Sequence, residues 1–172
     1  MTKTFKYSKP DKRCKRLTLI WIISISLVVF AIGYFFGEGG FIPAWLVSLI
    51  VALVTLYILS IPRNIVVTET ALEIRCIVEI TRIRLPELRS IRRVEPDYMK
   101  GKYVFVGSYG FFGYYGYYVD SEKWETLLLY CTRLNNLVEI TDVYEKRYIV
   151  NCEQADELIK AVTAATHLYS ED

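Results

Sequence analysis

Histidine occurs once among the 172 residues, at His167, so an imidazole-based metal centre or general base has almost no material to work with. The four cysteines, at positions 14, 76, 131 and 152, include no Cys-x-x-Cys pair, which excludes a zinc ribbon and a dithiol redox motif. Asn-x-Ser/Thr acceptors are absent as well. Scattered cysteines without glycan sites read as reduced, buried thiols rather than the disulfide framework of a secreted domain. Carboxylates are plentiful but dispersed, and no spacing assembles a nucleophile, a base and a group to orient it. Asp97 and Asp120 read as turn formers. The chain is therefore expected not to be an enzyme and to need no cofactor and no metal.

Charge is missing altogether from two long stretches. Leu17 to Phe36 runs for twenty residues, and Phe41 to Ile61 for twenty-one, without a charged side chain. At about 1.5 Å rise per residue, either one as a helix spans the roughly 30 Å of bilayer hydrocarbon. Pro43 falls in the first turn of the second stretch and Pro62 just past its end, where neither breaks a helix. The connection Gly37-Glu38-Gly39-Gly40 is too short for structure of its own, which predicts an antiparallel hairpin. A secretory signal peptide is the competing reading of the first stretch, but its apolar run is too long and a second span follows. Seven basic residues between Lys3 and Arg16 precede the first span, whereas the turn carries only Glu38. That asymmetry predicts a multi-pass protein of the cell inner (cytoplasmic) membrane with both termini inside. No acidic or basic residue lies within either span, so a proton or ion pathway is not expected.

From Arg63 onward, short alternating runs replace the long apolar ones. Strands are expected at 65–68, 71–77, 79–85, 90–94, 126–132, 137–141 and 146–150, with Asn135-Asn136 and Asp142 supplying turns. A terminal helix follows, with Asn151 as its cap and Ala155, Leu158, Ile159 and Val162 as its apolar stripe. The expected division is a basic N-terminal segment (1–16), a transmembrane hairpin (17–61) and a cytoplasmic, mainly β domain (62–172).

About seven antiparallel strands closed by a helix resemble the pleckstrin-homology (PH) roll, in particular a bacterial membrane-anchored PH-like family. The resemblance is carried by Leu85-Pro86-Glu87-Leu88 leading into Ile91 and Val94-Glu95, by the stretch from Gly110 to Tyr118, by Tyr130-Cys131-Thr132 and by Tyr148-Ile149-Val150. Eukaryotic relatives grip phosphoinositides with basic residues around the first strand pair. Here that turn is Thr68-Glu69-Thr70, too short and acidic to cradle a polyphosphate, so their lipid specificity does not transfer.

Two surfaces stand out. Gly107, Gly110, Gly113 and Gly116 recur every three residues among seven aromatics, a run too short and too poor in proline for collagen. Either it is a long hairpin or Ω-like loop whose glycines allow bends and close approach while its tyrosines pack back on the domain, or Tyr109, Phe111, Phe112, Tyr114, Tyr115 and Tyr117 form a contact surface for protein or headgroups. Arg82, Arg84 and Arg93 are the candidate anionic-lipid contacts, although the segment from residue 63 carries 14 basic against 17 acidic residues, which gives nucleic-acid binding no support. The expected function is a membrane-tethered PH-like scaffold that meets lipid through its two transmembrane helices and presents a cytoplasmic surface to a protein partner. The alternative is a lipid-interacting or lipid-sensing domain acting at its own bilayer.

Overall fold

The computed structural model of the protein describes residues 2–36 and 40–170, apart from the side chains of Pro96 and of residues 167–170. Residues 37–39 of the expected turn and the His167 side chain lie outside that set. Helix α1 (Lys12–Phe35) starts more than a turn before the charge-free stretch, because Asp11 caps it by accepting the Cys14 N–H at 2.7 Å. Helix α2 covers Phe41–Leu59. Both are long and apolar enough to cross a membrane.

A strand precedes them. β1 (Lys3–Lys6) pairs antiparallel with β2 (Pro62–Val67), in register from Lys3 opposite Val67 to Lys6 opposite Asn64. The helix pair is thus inserted into the connection of a β-hairpin, and both its ends return to one sheet. β3 (Ala71–Cys76) and β4 (Ile80–Arg84) complete that sheet in the order β1-β2-β3-β4. The second sheet holds β5 (Leu88–Val94), β6 (Lys102–Tyr109), β7 (Tyr114–Asp120), β8 (Thr126–Cys131), β9 (Leu137–Asp142) and β10 (Arg147–Asn151), ordered β5-β9-β10-β8-β7-β6. Its pairs are antiparallel except β8 with β10. Helix α3 (Ala155–Ser170) packs on β5 and on the short 3-10 turn Leu85–Glu87.

Strand alternation places two apolar layers on the second sheet. Val138, Ile140, Tyr148 and Val150 face the first sheet, where Ile65, Leu72, Ile74 and Ile83 meet them and Leu158 and Val162 of α3 close the side. Tyr114, Tyr118, Leu127, Leu129 and Ile149 point the other way, onto Cys14 of α1 and the partly buried Tyr98 and Met99. The sequence alternation is therefore read correctly from β2 to β5 and from β8 to β10, but the described residues form ten strands rather than about seven. β1 was not expected, and β6 and β7 extend on both sides of the aromatic glycine stretch, the region expected to be a long hairpin or loop. A further correction concerns Asn151: it ends β10, and its side-chain carbonyl accepts the Thr132 N–H at 2.8 Å instead of capping α3.

Candidate functional site

The β6–β7 hairpin is organised by facing glycines. Gly107 and Gly116 are register partners with φ of +148° and +105°. A Cβ on Gly107 would sit 2.1 Å from the Tyr115 carbonyl oxygen, and one on Gly116 2.4 Å from that of Val106. Only glycine lets the two backbones approach so closely. Beyond them, Gly110 N–H donates to the Gly113 carbonyl at 2.8 Å and Ser108 Oγ accepts the Phe111 N–H at 3.1 Å, which closes the turn.

This tip is clamped to the helix pair. Thr18 Oγ1 lies 2.9 Å from the Gly110 carbonyl and accepts the Phe112 N–H at 2.9 Å. Gly110, at φ +88°, lies so close to Leu17 that a Cβ there would come within 2.4 Å of its side chain. On the other helix, Tyr115 OH donates to the Tyr57 carbonyl at 2.8 Å, and the Phe111 ring meets Tyr57 edge-on at 6.3 Å. Arg13 donates to Tyr109 OH at 3.1 Å. The aromatic glycine stretch is a joint between helices and sheet. Phe111, Tyr114 and Tyr115 are buried in it, their rings packed against the chain itself. Tyr109, Phe112 and Tyr117 stay partly exposed.

Each candidate arginine faces an internal acid. Arg82 and Arg75 both donate to Glu73, with Nε to oxygen distances of 3.0 Å. Arg84 lies 3.8 Å from Glu87, and Arg93 donates to Asp156 at 3.2 Å and to Asn136 at 3.0 Å. Hydrogen bonds from Arg82 and then Arg75 hold the buried Glu73 carboxyl below the usual carboxylate range. Burial, with Glu79 adding to it, pushes the Cys76 thiol up to about 12, which keeps it protonated and unreactive. Several other polar residues are likewise occupied. Lys102 pairs with Asp120 at 3.1 Å beneath the Tyr98 ring, Glu139 accepts from Arg92 and Tyr98, and Asp120 and Asp142 hold the turns that follow them. Among the described residues, no group of three His, Cys, Asp or Glu is placed to hold a metal ion.

Two features escaped the sequence reading. Edge strand β6 exposes four successive apolar residues, Tyr103, Val104, Phe105 and Val106, at 67%, 38%, 74% and 60%, across a bulge between Val104 and Val106. Four apolar residues in a row give no alternation, which hides the strand. Val104 and Tyr109 share a cleft of about 310 Å³ with Trp21 and Ile25 of α1. The second feature is a trough made of two adjoining clefts that share part of their lining. Its apolar end, about 330 Å³, lies between Leu53, Leu56 and Tyr57 of α2 and Val106, Tyr117 and Leu128 of the sheet. Its polar end, a groove of about 1090 Å³, shares Glu79, Tyr117, Leu128 and Tyr130 with the first and extends to Lys123, Trp124, Tyr144 and Lys146. No pattern in the sequence could have joined residues so far apart along the chain. In comparisons with known proteins, the chain matches no family, no curated protein and no solved structure.

Proposed function

We propose that this protein is a non-catalytic, membrane-tethered PH-like module that works on its own bilayer, anchored by α1 and α2 with both termini and the β domain on the cytoplasmic side. The observation that carries the reading is the exposed apolar run of β6 beside Trp21 and Ile25. In water such an edge is an aggregation site. In the interfacial zone of a bilayer the same side chains are favourable, each Val or Phe contributing about 1.5–3 kcal/mol when fully buried. Headgroups and water there can also satisfy the unpaired outer edge of the strand, which bare hydrocarbon cannot. Exposed Ile77 and Val78 lie at the inner end of α2, where Val78 N–H donates to the Leu59 carbonyl at 3.3 Å, and extend the same apolar seat.

The PH-like reading has support in the connectivity. The meander β1 to β4, the antiparallel run β5-β9-β10 and α3 together make seven strands and a helix, to which β6 to β8 are appended. In this arrangement the helix pair occupies the first strand connection. The protein-scaffold reading keeps one observation of its own: Trp124 and Tyr144 are 84% and 70% exposed on neighbouring walls of the polar groove.

A fluorophore on Phe105→Cys in the full chain, reconstituted in liposomes, distinguishes the two. All four native cysteines are buried, so the introduced thiol is the one labelled. Quenching by lipid-borne spin labels, with protection from aqueous iodide, is expected. Iodide quenching equal to that of the exposed site Glu153→Cys refutes the bilayer reading and leaves the scaffold.

A further inference from the structure

Resting on that bilayer reading, we infer that the trough between α2 and the second sheet is a binding site for a single glycerophospholipid, with an acyl chain along α2 and its phosphodiester at Lys123 and Lys146. The two ends of the trough differ in the way such a molecule requires. Leu53 and Leu56 of α2 and Val106 of β6 offer an apolar wall continuous with the spans. The cleft they form, about 330 Å³, falls in the range of small-molecule sites.

Charge at the polar end is distributed unevenly. Arg89 is paired with Glu145, Arg92 with Glu139, and Arg147 with Glu125. Lys123 and Lys146 have no acidic partner among the described residues, and both are exposed on the groove wall, where Glu79 is the one carboxylate outside those three pairs. One net positive charge therefore remains for a group carrying one negative charge, which a phosphodiester supplies. Ammonium groups bind phosphate as point charges and tolerate different headgroups. The side chain of Trp124, almost fully exposed at the same wall, suits the boundary between chain and headgroup. A free phosphate compound satisfies the lysines but leaves the apolar cleft empty. A neutral diacylglycerol does the reverse.

Native mass spectrometry of the full chain in mild detergent tests this with three probes: dioctanoyl phosphatidylglycerol, dioctanoylglycerol and glycerol 3-phosphate. A saturable one-to-one adduct with the phospholipid is expected, with the other two binding about tenfold more weakly or not at all. Lys123→Glu with Lys146→Glu, both at exposed positions, and separately Leu56→Trp, which fills the apolar end, should each weaken the phospholipid adduct about tenfold. Unchanged circular dichroism melts show that these variants are folded. Absence of a saturable adduct overturns the site. So does equal binding of glycerol 3-phosphate, which indicates a phosphate site without a lipid, or of dioctanoylglycerol, which indicates a cavity without headgroup recognition. If the Phe105→Cys probe lies in lipid and no adduct forms, the trough fails alone. If the probe is aqueous and no adduct forms, both readings fail.

Discussion

Glu73 shows how a basic surface in a sequence becomes a paired one in a structure. Its side chain is buried, while Arg75 and Arg82, which bond it from β3 and β4, keep much of their surface in water. Exposed guanidinium groups screen the interaction, so the cluster contributes on the order of 1 kcal/mol rather than the larger value of a fully buried pair. Because the folded pKa of Glu73 is depressed, its contribution is fully present above the unfolded value and is lost as pH falls through the folded one. The Glu73→Gln protein should be about 1 kcal/mol less stable at neutral pH. The gap should start to narrow near pH 4, the ordinary range of carboxylate titration, and keep shrinking at more acid pH as the depressed folded pKa is passed. Thermal melts of both proteins across pH measure it, and a gap that is constant from neutral to acid would show that shape, not charge, is responsible. Position alone marks Arg82 and Arg84 as one strand face, with Ile83 buried behind them. That Glu73 would sit opposite Arg82 depends on the register of β3 with β4, which no single residue announces.

Elements were legible where apolar and polar residues alternate along the chain and hidden where that pattern is short or interrupted. β3 and β9 bury long runs against the core and were readily found, whereas β1 buries Phe5 alone among Lys3, Thr4 and Lys6. A four-residue strand with one apolar side chain has almost no periodic signal. The bounds of β6 and β7 are blurred for another reason: the Gly107 and Gly116 pair interrupts the pattern at the point where the strands come closest. The joint was half legible, since its unusual composition drew attention while its true partners, Leu17, Thr18 and Tyr57, lie on other elements. β1 has a practical consequence. A fragment beginning at residue 62 lacks Phe5, which is 4% exposed in the main core, and leaves β2 as an unprotected edge. Loss of that packing costs about 3–5 kcal/mol, by analogy with truncation of a buried phenylalanine. The fragment should melt well below a variant in which residues 2–8 are joined to Pro62 by a short flexible linker. Equal melting temperatures would show that β1 is dispensable.

At the scale of the whole molecule, the composition already separates two apolar helices from a mixed β domain, and the structure agrees with that division. The pairing of β1 with β2 adds that residues before α1 and after α2 share a sheet, so they lie on one side of any membrane that the helices cross. On the proposed orientation, a membrane-impermeant maleimide added to intact cells should label Glu38→Cys and not Lys160→Cys, and the reverse pattern would invert the topology. Cys152 is unsuitable as the inner reporter because it is buried on either side. The same insertion of two helices between neighbouring strands sets an order of events during synthesis. β1 leaves the ribosome first and must stay unpaired while both helices are made, a delay of a few seconds at about 5–20 residues per second. Its partner emerges only after the second helix, so on the proposed topology the first sheet closes after both spans have been made. On the proposed topology, β1 and β2 can meet only when both ends of the helix pair lie on the same side of the bilayer, so a closed first sheet reports that the hairpin went in and came back out.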